Sequence, residues 1–233
     1  MWAVNLLQNL ARYVVSSGNW FEPGDHMNAD GPIRQGYATG VTALACAEDP
    51  ELAAIATPHG RVQFLQVVGL TGDEYEAARR WNTGGVLGLL AERHPLLMTD
   101  QDRSSITEDP VARAAISTGR SREGSSTGLL MVAGFGWAYE ERAVRLRFEA
   151  VTAATVAQAV GDRLPYGRAL VLVGDGMRAV LHNGEVYAVR RTGPDVLEIG
   201  LPAEAVAALP DAFVPGARAV PGTQGLIIEV AGE

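Results

Sequence analysis

Residues 57–70 read TPHGRVQFLQVVGL, and this stretch decides the fold. Its TPHG start has the composition of a turn, because proline presets φ and glycine accepts a positive φ. Segment 62–68 is rich in β-branched and aromatic residues, which predicts a strand that ends at Gly69 and is buried on at least one face. Gln63 and Gln66 interrupt the apolar run, and we expect them to face solvent or polar neighbours.

Length, composition, net charge and cysteine count exclude several kinds of ligand and catalytic group. The chain has 233 residues, of which 47% are hydrophobic and 20% are charged, as in an ordinary globular protein of one large or two small domains. A net charge of −8 argues against nucleic acid as the main ligand, because phosphate binding needs clustered basic residues. All 19 basic residues are arginine, so no lysine nucleophile exists. A single cysteine, Cys46, excludes an internal disulfide and a cysteine-based metal cluster.

The sequence also lacks the usual signals for membranes and secretion. No apolar run approaches the length of a membrane-spanning helix, and the start has no charged region followed by a cleavage signal. We therefore predict a cytoplasmic protein that does not span a membrane. No metal or cofactor is predicted.

Helical and strand patterns alternate along the chain without a regular βαβ period, which predicts an α+β fold with mixed β-sheets flanked by helices. The sequence TGDE at 71–74 is a capping box that opens a helix running to about Trp81. Loop 118–128 is flexible by composition. Asn183-Gly184 predicts a hairpin between the strands on either side of it.

A second module begins near residue 142, where AVRLRFEA alternates apolar and charged side chains in the manner of a half-buried strand. We predict a domain boundary between residues 140 and 141. The expected domains are 1–140 and 141–233, joined by the segment 138–143.

One sequence motif and one pair of adjacent residues are candidates for catalytic groups. Residues 124–128, GSSTG, match G-x-S-x-G, but that chemistry needs Ser126 on a strained turn between a strand and a helix. Here the motif lies in a Ser/Gly-rich stretch before a strand, which favours a plain connection. Asp25 and His26 are adjacent, and such a pair can belong to a metal site or a general base. A hydrolase that uses Ser126 or Asp25/His26 is therefore the alternative function.

Four segments together resemble the suppressor of fused (SUFU) family. The N-terminal domain of that family is similar to WAVNLLQNLARYVVSSGNWFEPGDHM (2–27), EDPELAAIATPHGRVQFLQVVGLTGDE (48–74) and LLMTDQDRSSITEDP (96–110). The start of its C-terminal domain resembles RLPYGR (163–168). The resemblance implies two SUFU-like domains, of which the first is incomplete, since family members carry a segment before the helix that here begins at Trp2. It is typical of a bacterial SUFU-like protein that is N-terminally truncated relative to the family.

The resemblance also implies a function, that of a non-enzymatic protein-binding protein. Animal members sequester transcription factors by clamping a short peptide between two domains as an added strand, a mode called β-augmentation. Bacterial members resemble immunity proteins of polymorphic toxin systems. The implied partner is another protein, either a toxin or a regulatory peptide, and the acidic charge would suit a basic toxin.

Strand addition needs a free sheet edge near the domain junction, and two strands that flank 138–143 are candidates. The alternative is that both strands are interior and fully paired. The candidate partner-binding residues are Leu129, Leu130, Met131, Val132, Ala133, Val144, Arg145, Leu146, Arg147 and Phe148.

Overall fold

The chain folds into two compact units, Met1–Arg122 and Glu123–Glu233. The computed structural model describes residues 2–140 and 143–232. Both units combine helices with β-sheets, which are antiparallel in the first unit and mixed in the second, so the α+β prediction is confirmed. The predicted junction 138–143 includes two residues outside the described ones, and the boundary predicted beside them stays a prediction. The compact units divide earlier, at residue 122.

The first unit is a three-stranded antiparallel sheet and a separate hairpin, accompanied by four helices. The sheet has the order β1-β2-β5, and β3 pairs with β4. The strands are β1 (His26–Asn28), β2 (Val41–Glu48), β3 (Ile55–Thr57), β4 (Gly60–Val62) and β5 (Leu65–Thr71). The helices are α1 (Trp2–Ser17), α2 (Gly72–Arg80), α3 (Thr83–Ala91) and α4 (Pro110–Glu123), the last of which ends on the first residue of the second unit.

The two faces of β2 serve two cores. Ala43 and Ala45 belong to the core beneath α2 and α3, where Val86 and Leu90 are buried. Leu44 points to the opposite face, because successive side chains of a strand alternate. On that face Trp2, Leu6 and Leu10 of α1 pack against Leu44 together with Ile33 and Val41.

Residues 57–70 contain a hairpin and a strand, so the predicted single strand 62–68 is wrong in its bounds. The turn after Thr57 joins β3 to β4, and β5 begins later, at Leu65. The predicted end at Gly69 is also wrong, because β5 continues to Thr71 and Gly69 lies inside it, at a place without room for a side chain. A Cβ there would lie 2.6 Å from Val41 Cγ1 and 2.7 Å from Thr99 Cγ2. Gly69 is therefore a close-packing position within β5.

The glutamines of this stretch face polar neighbours, as predicted. Gln63 Nε2 donates to Glu48 Oε1 at 2.8 Å, and Gln66 Nε2 donates to the carbonyl oxygen of Leu96 at 2.7 Å. The capping box is present as well, since the backbone N–H of Thr71 donates to Glu74 Oε2 at 2.9 Å. Both features follow from local sequence.

The second unit contains a five-stranded and a four-stranded sheet, with the orders β11-β12-β10-β9-β6 and β13-β14-β8-β7. Its core is formed by the inner faces of these sheets together with two helices. The strands are β6 (Leu129–Met131), β7 (Gly136–Glu140), β8 (Ala143–Phe148), β9 (Leu170–Gly174), β10 (Met177–Asn183), β11 (Ala188–Gly193), β12 (Val196–Leu201), β13 (Gly216–Ala219) and β14 (Leu226–Val230). The helices are α5 (Ala150–Arg163) and α6 (Ala203–Ala208).

The hairpin predicted at Asn183-Gly184 is wrong. Strand β12 lies between β10 and β11, parallel to the first and antiparallel to the second. The N–H of Gly184 donates to the carbonyl of Leu201 at 2.9 Å, so it joins the end of β12 instead of closing a turn. The tight hairpin is at Asp175-Gly176, between β9 and β10, where both residues have positive φ (48° and 77°) as a type I′ turn requires.

The flexible loop predicted at 118–128 is also wrong. Its first half is the end of α4. In its second half Ser125 is buried, its N–H donates to the carbonyl of Asp162 at 2.6 Å, and its carbonyl accepts from Arg163 and Arg168 at 2.7 and 3.1 Å. Composition misses this because the hydrogen-bond partners come from 38 and 43 residues away.

Candidate functional site

Strand β6 is an edge of the five-stranded sheet. It pairs in parallel with β9, and no strand pairs with its other side within residues 2–140 and 143–232. Of the residues predicted here, Leu129, Leu130 and Met131 form the strand, while Val132 is buried in the core and Ala133 lies in the turn that follows. The first predicted docking strand is therefore shorter than expected, but it does present an open edge.

The hydrogen bonds to β9 fix which backbone groups of β6 face outward. The carbonyl of Gly128 accepts from Val171, and the N–H of Val132 donates to Val173, both at 2.8 Å. Because these groups alternate along a strand, the N–H and C=O groups of Leu129 and Met131 point away from β9. Each of these residues can offer one donor and one acceptor to an added strand.

The side chains at this edge are apolar and accessible. Leu129 is 49% exposed and Met131 is 70% exposed, whereas Leu130, on the other face, packs against the core. The exposed face continues across the sheet through Val171, which is paired with Leu129, and then through Val180. An added strand would thus extend a surface that is already partly apolar.

The opposite edge of the same sheet is protected. Strand β11 carries Arg190, which donates to Glu198 Oε2 at 2.5 Å, and Arg191, which donates to the carbonyl of Gly193 at 3.1 Å. Charged side chains on an edge strand are a common device against unwanted strand pairing. The contrast with Leu129 and Met131 distinguishes β6 as the edge without such protection.

The second predicted docking strand, 144–148, needs a correction. It forms most of β8, which is paired with β14 on one side and with β7 on the other. Val144, Leu146 and Phe148 are buried in the core, and Arg145 and Arg147 lie on the outer face. This strand is interior, so its backbone has no open edge to offer.

The sequence reading missed a second open edge, on β5 in the first unit. The backbone groups of Leu65, Val67 and Gly69 turn away from β2, as expected from the alternation that puts Gly69 N–H on Thr99 Oγ1 at 2.8 Å. An apolar groove of about 440 Å³ runs beside this edge. Its lining includes Trp2, Leu6, Ile33, Leu65, Val67 and Met98. The strand itself was readable from the sequence, but its position at the edge depends on sheet order.

Part of the β5 edge is closed by an arginine. Arg103 Nη2 donates to the carbonyl of Gly69 at 2.9 Å, and the same guanidinium pairs with the buried carboxylate of Glu74. Burial of Glu74 by itself raises its pKa, but hydrogen bonds from Arg103 and from the N–H groups of Ile106 and Thr71 outweigh it, so the pKa of Glu74 is lowered. This leaves Leu65 and Val67 as the open part of the edge.

The residues of the hydrolase alternative have ordinary surroundings. His26 Nδ1 is 3.0 Å from Thr83 Oγ1, and burial lowers the pKa of His26. Asp25 Oδ2 accepts from the N–H of Glu22. Ser126 is exposed, and it follows a helix instead of standing between a strand and a helix. Among the described residues no group of three His, Cys, Asp or Glu side chains could hold a metal ion, and no helix is long and apolar enough to cross a membrane.

Comparison with known proteins places this fold. Residues 1–104 match the family model of the suppressor of fused protein. The suppressor of fused homologs of Homo sapiens and Mus musculus are each 36% identical over 131 residues, which is 54% of this chain and 27% of the relative. Residues 1–104 are thus similar to the suppressor of fused family, and the matched part of the chain spans about a quarter of the length of these relatives.

Two solved structures are similar. The crystal structure of Drosophila Suppressor of Fused has a TM-score of 0.81 at 21% sequence identity and covers 98% of this chain and 70% of that chain, so the fold extends over both units. A crystal structure of the Sufu–Fu complex is 35% identical, with a TM-score of 0.47, over 49% of this chain and 50% of that chain.

Proposed function

We propose that this chain is a non-enzymatic protein-binding protein that captures a segment of its partner by strand addition, with β6 as the docking edge. The observation that carries the proposal is the combination of outward backbone groups and exposed apolar side chains at Leu129 and Met131. In strand addition the backbone hydrogen bonds supply affinity and the alternate side chains supply specificity. The similarity of residues 1–104 to the suppressor of fused family supports a binding role.

The open part of the β5 edge is the companion site in this proposal. Leu65 and Val67 have backbone groups that turn outward beside an apolar groove. The resemblance implies a peptide held by two domains, and β5 and β6 are edge strands of the first and the second unit, respectively. The interdomain position of the peptide stays a prediction, and the experiment below tests each edge by itself.

The finer proposal is an immunity role, in which the partner is a toxin. The net charge of −8 supports a basic partner, because opposite charge speeds the encounter of two proteins. This chain would then neutralise the toxin by occupying it in the cytoplasm. Co-expression with a candidate basic toxin, compared with the toxin alone, measures protection directly.

The experiment uses proline, which cannot donate a backbone hydrogen bond. Val132 is unsuitable, since its N–H already donates to Val173 within the sheet. Met131→Pro removes an outward N–H, and Met131→Ala is its control because it trims the side chain but keeps that N–H. Peptides selected on the whole chain from a random displayed library supply the probe, and fluorescence anisotropy measures their affinity.

We expect Met131→Pro to weaken peptide binding at least tenfold, and Met131→Ala to weaken it only a few-fold, on the order expected for one lost hydrogen bond and one trimmed contact. Circular dichroism and thermal melting confirm that each variant is folded. A folded Met131→Pro chain with parental affinity would remove β6 from the proposal. Leu65→Pro tests β5 in the same way, since the first residue of a strand tolerates proline.

The hydrolase alternative has its own test. Ser126→Ala and His26→Ala should leave peptide affinity unchanged, and the parent chain should not turn over a panel of carboxylic and phosphate esters. Turnover that is lost in either variant would establish the enzyme and count against the binding role as the sole function.

A further inference from the structure

The outer face of the four-stranded sheet has an open depression with two arginines in it. Arg145 and Arg147 stand on this face of β8, between β14 and β7. Two of the four other residues that line the depression, Ala138 and Ala143, have small side chains. The depression has a volume of about 310 Å³ and is lined by Ala138, Ala143, Arg145, Arg147, Ile227 and Glu229.

Two arginines in this depression share one carboxylate oxygen. Arg145 Nη1 and Arg147 Nε both donate to the same oxygen, Glu229 Oε2, at 3.2 and 3.4 Å. A guanidinium has five N–H donors, so most donors of both arginines are left for other acceptors. The side chains of Arg145 and Arg147 are 37% and 59% exposed. Within the described residues that line the depression there are two cations and one anion, in a chain whose net charge is −8.

The ion pairs alone do not explain two arginines at this place. Both contacts are long and partly exposed, and pairs of this kind contribute little to folding stability. A central strand of a sheet could carry any polar or β-branched residue on its solvent face. Arginine is the side chain preferred for binding planar anions such as carboxylates, and this preference gives the two arginines a candidate role.

We propose that this face docks an extended acidic segment of a partner protein through its side-chain carboxylates. Arg145 and Arg147 are two residues apart on one strand, so their Cα atoms are about 6.7 Å apart. Alternate residues of an extended peptide have the same Cα spacing. Carboxylates at positions i and i+2 of such a peptide can each meet one guanidinium. The small side chains leave room for its backbone. The proposal does not rest on strand addition at β6.

Glu229 has an opposite role to the arginines in this arrangement. Its carboxylate occupies donors that an incoming carboxylate needs, so it competes with the ligand. A role confined to stabilising the sheet would instead make Glu229 and the arginines act in the same direction. This difference in sign separates docking from a merely structural ion pair.

The probe is a capped, fluorescein-labelled hexapeptide of alternating serine and glutamate, with the serine–glutamine peptide as its neutral counterpart. We expect Arg145→Gln and Arg147→Gln to weaken binding about tenfold each, the scale of one lost charge-assisted pair. Glu229→Gln should strengthen binding several-fold, and about 0.5 M salt should weaken it strongly because the groups are exposed. Arg190→Gln, which breaks an exposed ion pair on the other sheet, should change nothing.

Several results would overturn the proposal. These are unchanged affinity in folded Arg145→Gln and Arg147→Gln chains, equal binding of the glutamine peptide, or a Glu229→Gln chain that binds more weakly. Displacement of the peptide by acetate or phosphate at the peptide's own concentration would indicate a site for small anions. Dissociation of a dimer in Arg147→Gln would indicate that a second copy of the chain is the occupant. Circular dichroism of each variant accompanies the binding curves.

Discussion

Arg103 forms a bidentate ion pair with the carboxylate of Glu74, in which Nη1 donates to Oε1 at 2.6 Å and Nη2 donates to Oε2 at 2.5 Å. The side chains are 3% and 0% exposed. The remaining carboxylate capacity is used by the N–H groups of Thr71 and Ile106, each at 2.9 Å. The pair therefore links the start of α2 to the edge of β5, at which Arg103 also donates to Gly69.

Removing the charge of Glu74 should destabilise the first unit strongly. Glu74→Gln keeps the shape but leaves the guanidinium of Arg103 buried without its counter-charge, which costs about 3–5 kcal/mol. Glu76→Gln, two residues along the same helix, is the matched control, because its ion pair with Arg79 is exposed and contributes less than about 1 kcal/mol. Urea unfolding followed by tryptophan fluorescence measures both. Equal losses in the two variants would contradict the prediction.

The lowered pKa of Glu74 predicts that the first unit loses stability in acid. The pKa of Glu74 is lowered in the folded state, so the folded state binds its proton more weakly than the unfolded state does. The stabilisation is fully present above the unfolded pKa of about 4.3 and is lost as pH falls through the lower folded value. In Glu74→Gln the stability should change less between pH 6 and pH 3, values chosen to lie on either side of about 4.3. Parallel pH profiles for the parent and variant would argue against this linkage.

Two glycines of neighbouring helices should respond oppositely to alanine. A Cβ on Gly119 of α4 would overlap Trp81 Cε2, so Gly119→Ala must displace the indole ring. Nothing lies within 4 Å of a Cβ on Gly88 of α3, and there alanine gains its higher helix propensity. We expect Gly119→Ala to lose about 1–3 kcal/mol and Gly88→Ala to gain about 0.5–1 kcal/mol in urea unfolding. A gain in Gly119→Ala would show that the ring relaxes freely.

The sequence predicts the features of this fold that depend on near neighbours. The capping box at Thr71 and Glu74 and the alternation along β8 are local, and both are present. The hairpin at Asn183-Gly184 fails because a strand from farther along the chain inserts between its two arms. The prediction of a flexible loop fails at residues 124–128 for the same reason, because Arg163 and Arg168, which are distant in sequence, donate hydrogen bonds to the carbonyl of Ser125. Local patterns carry no information about such partners.

The candidate site divides along the same line. Apolar alternation cannot distinguish an edge strand from an interior strand, because both bury one face. The sequence pattern therefore predicts both strands, 129–133 and 144–148, as candidate docking edges. In the structure β6 is at an edge, whereas β8 is paired on both sides. The edge of β5 was missed because sheet order decides it. The alternation along β8 predicts that Arg145 and Arg147 share one face of a strand. That this face is open depends on the flanking strands, which the sequence pattern does not give.

The second unit contains a buried tyrosine hydroxyl. Tyr187 is partly buried against the core, and its hydroxyl has no hydrogen-bond partner among the described residues. Burial, assisted by nearby Tyr139, raises the pKa of Tyr187 to about 12. An unsatisfied buried hydroxyl costs about 1–3 kcal/mol, so Tyr187→Phe should stabilise the chain by about 1 kcal/mol.

The control for this prediction is Tyr139→Phe, because Tyr139 is 43% exposed and its hydroxyl can bond to water. The alkaline limb gives a second measurement. Since burial raises the pKa of Tyr187, the stability of the parent does not depend on the ionisation of this group below the unfolded pKa of about 10, and it falls as pH rises toward the folded value. Tyr187→Phe should therefore unfold less readily at high pH than the parent, in thermal melts followed by circular dichroism. A Tyr187→Phe chain that is clearly less stable than the parent at neutral pH would mean that a bound water or another group satisfies the hydroxyl.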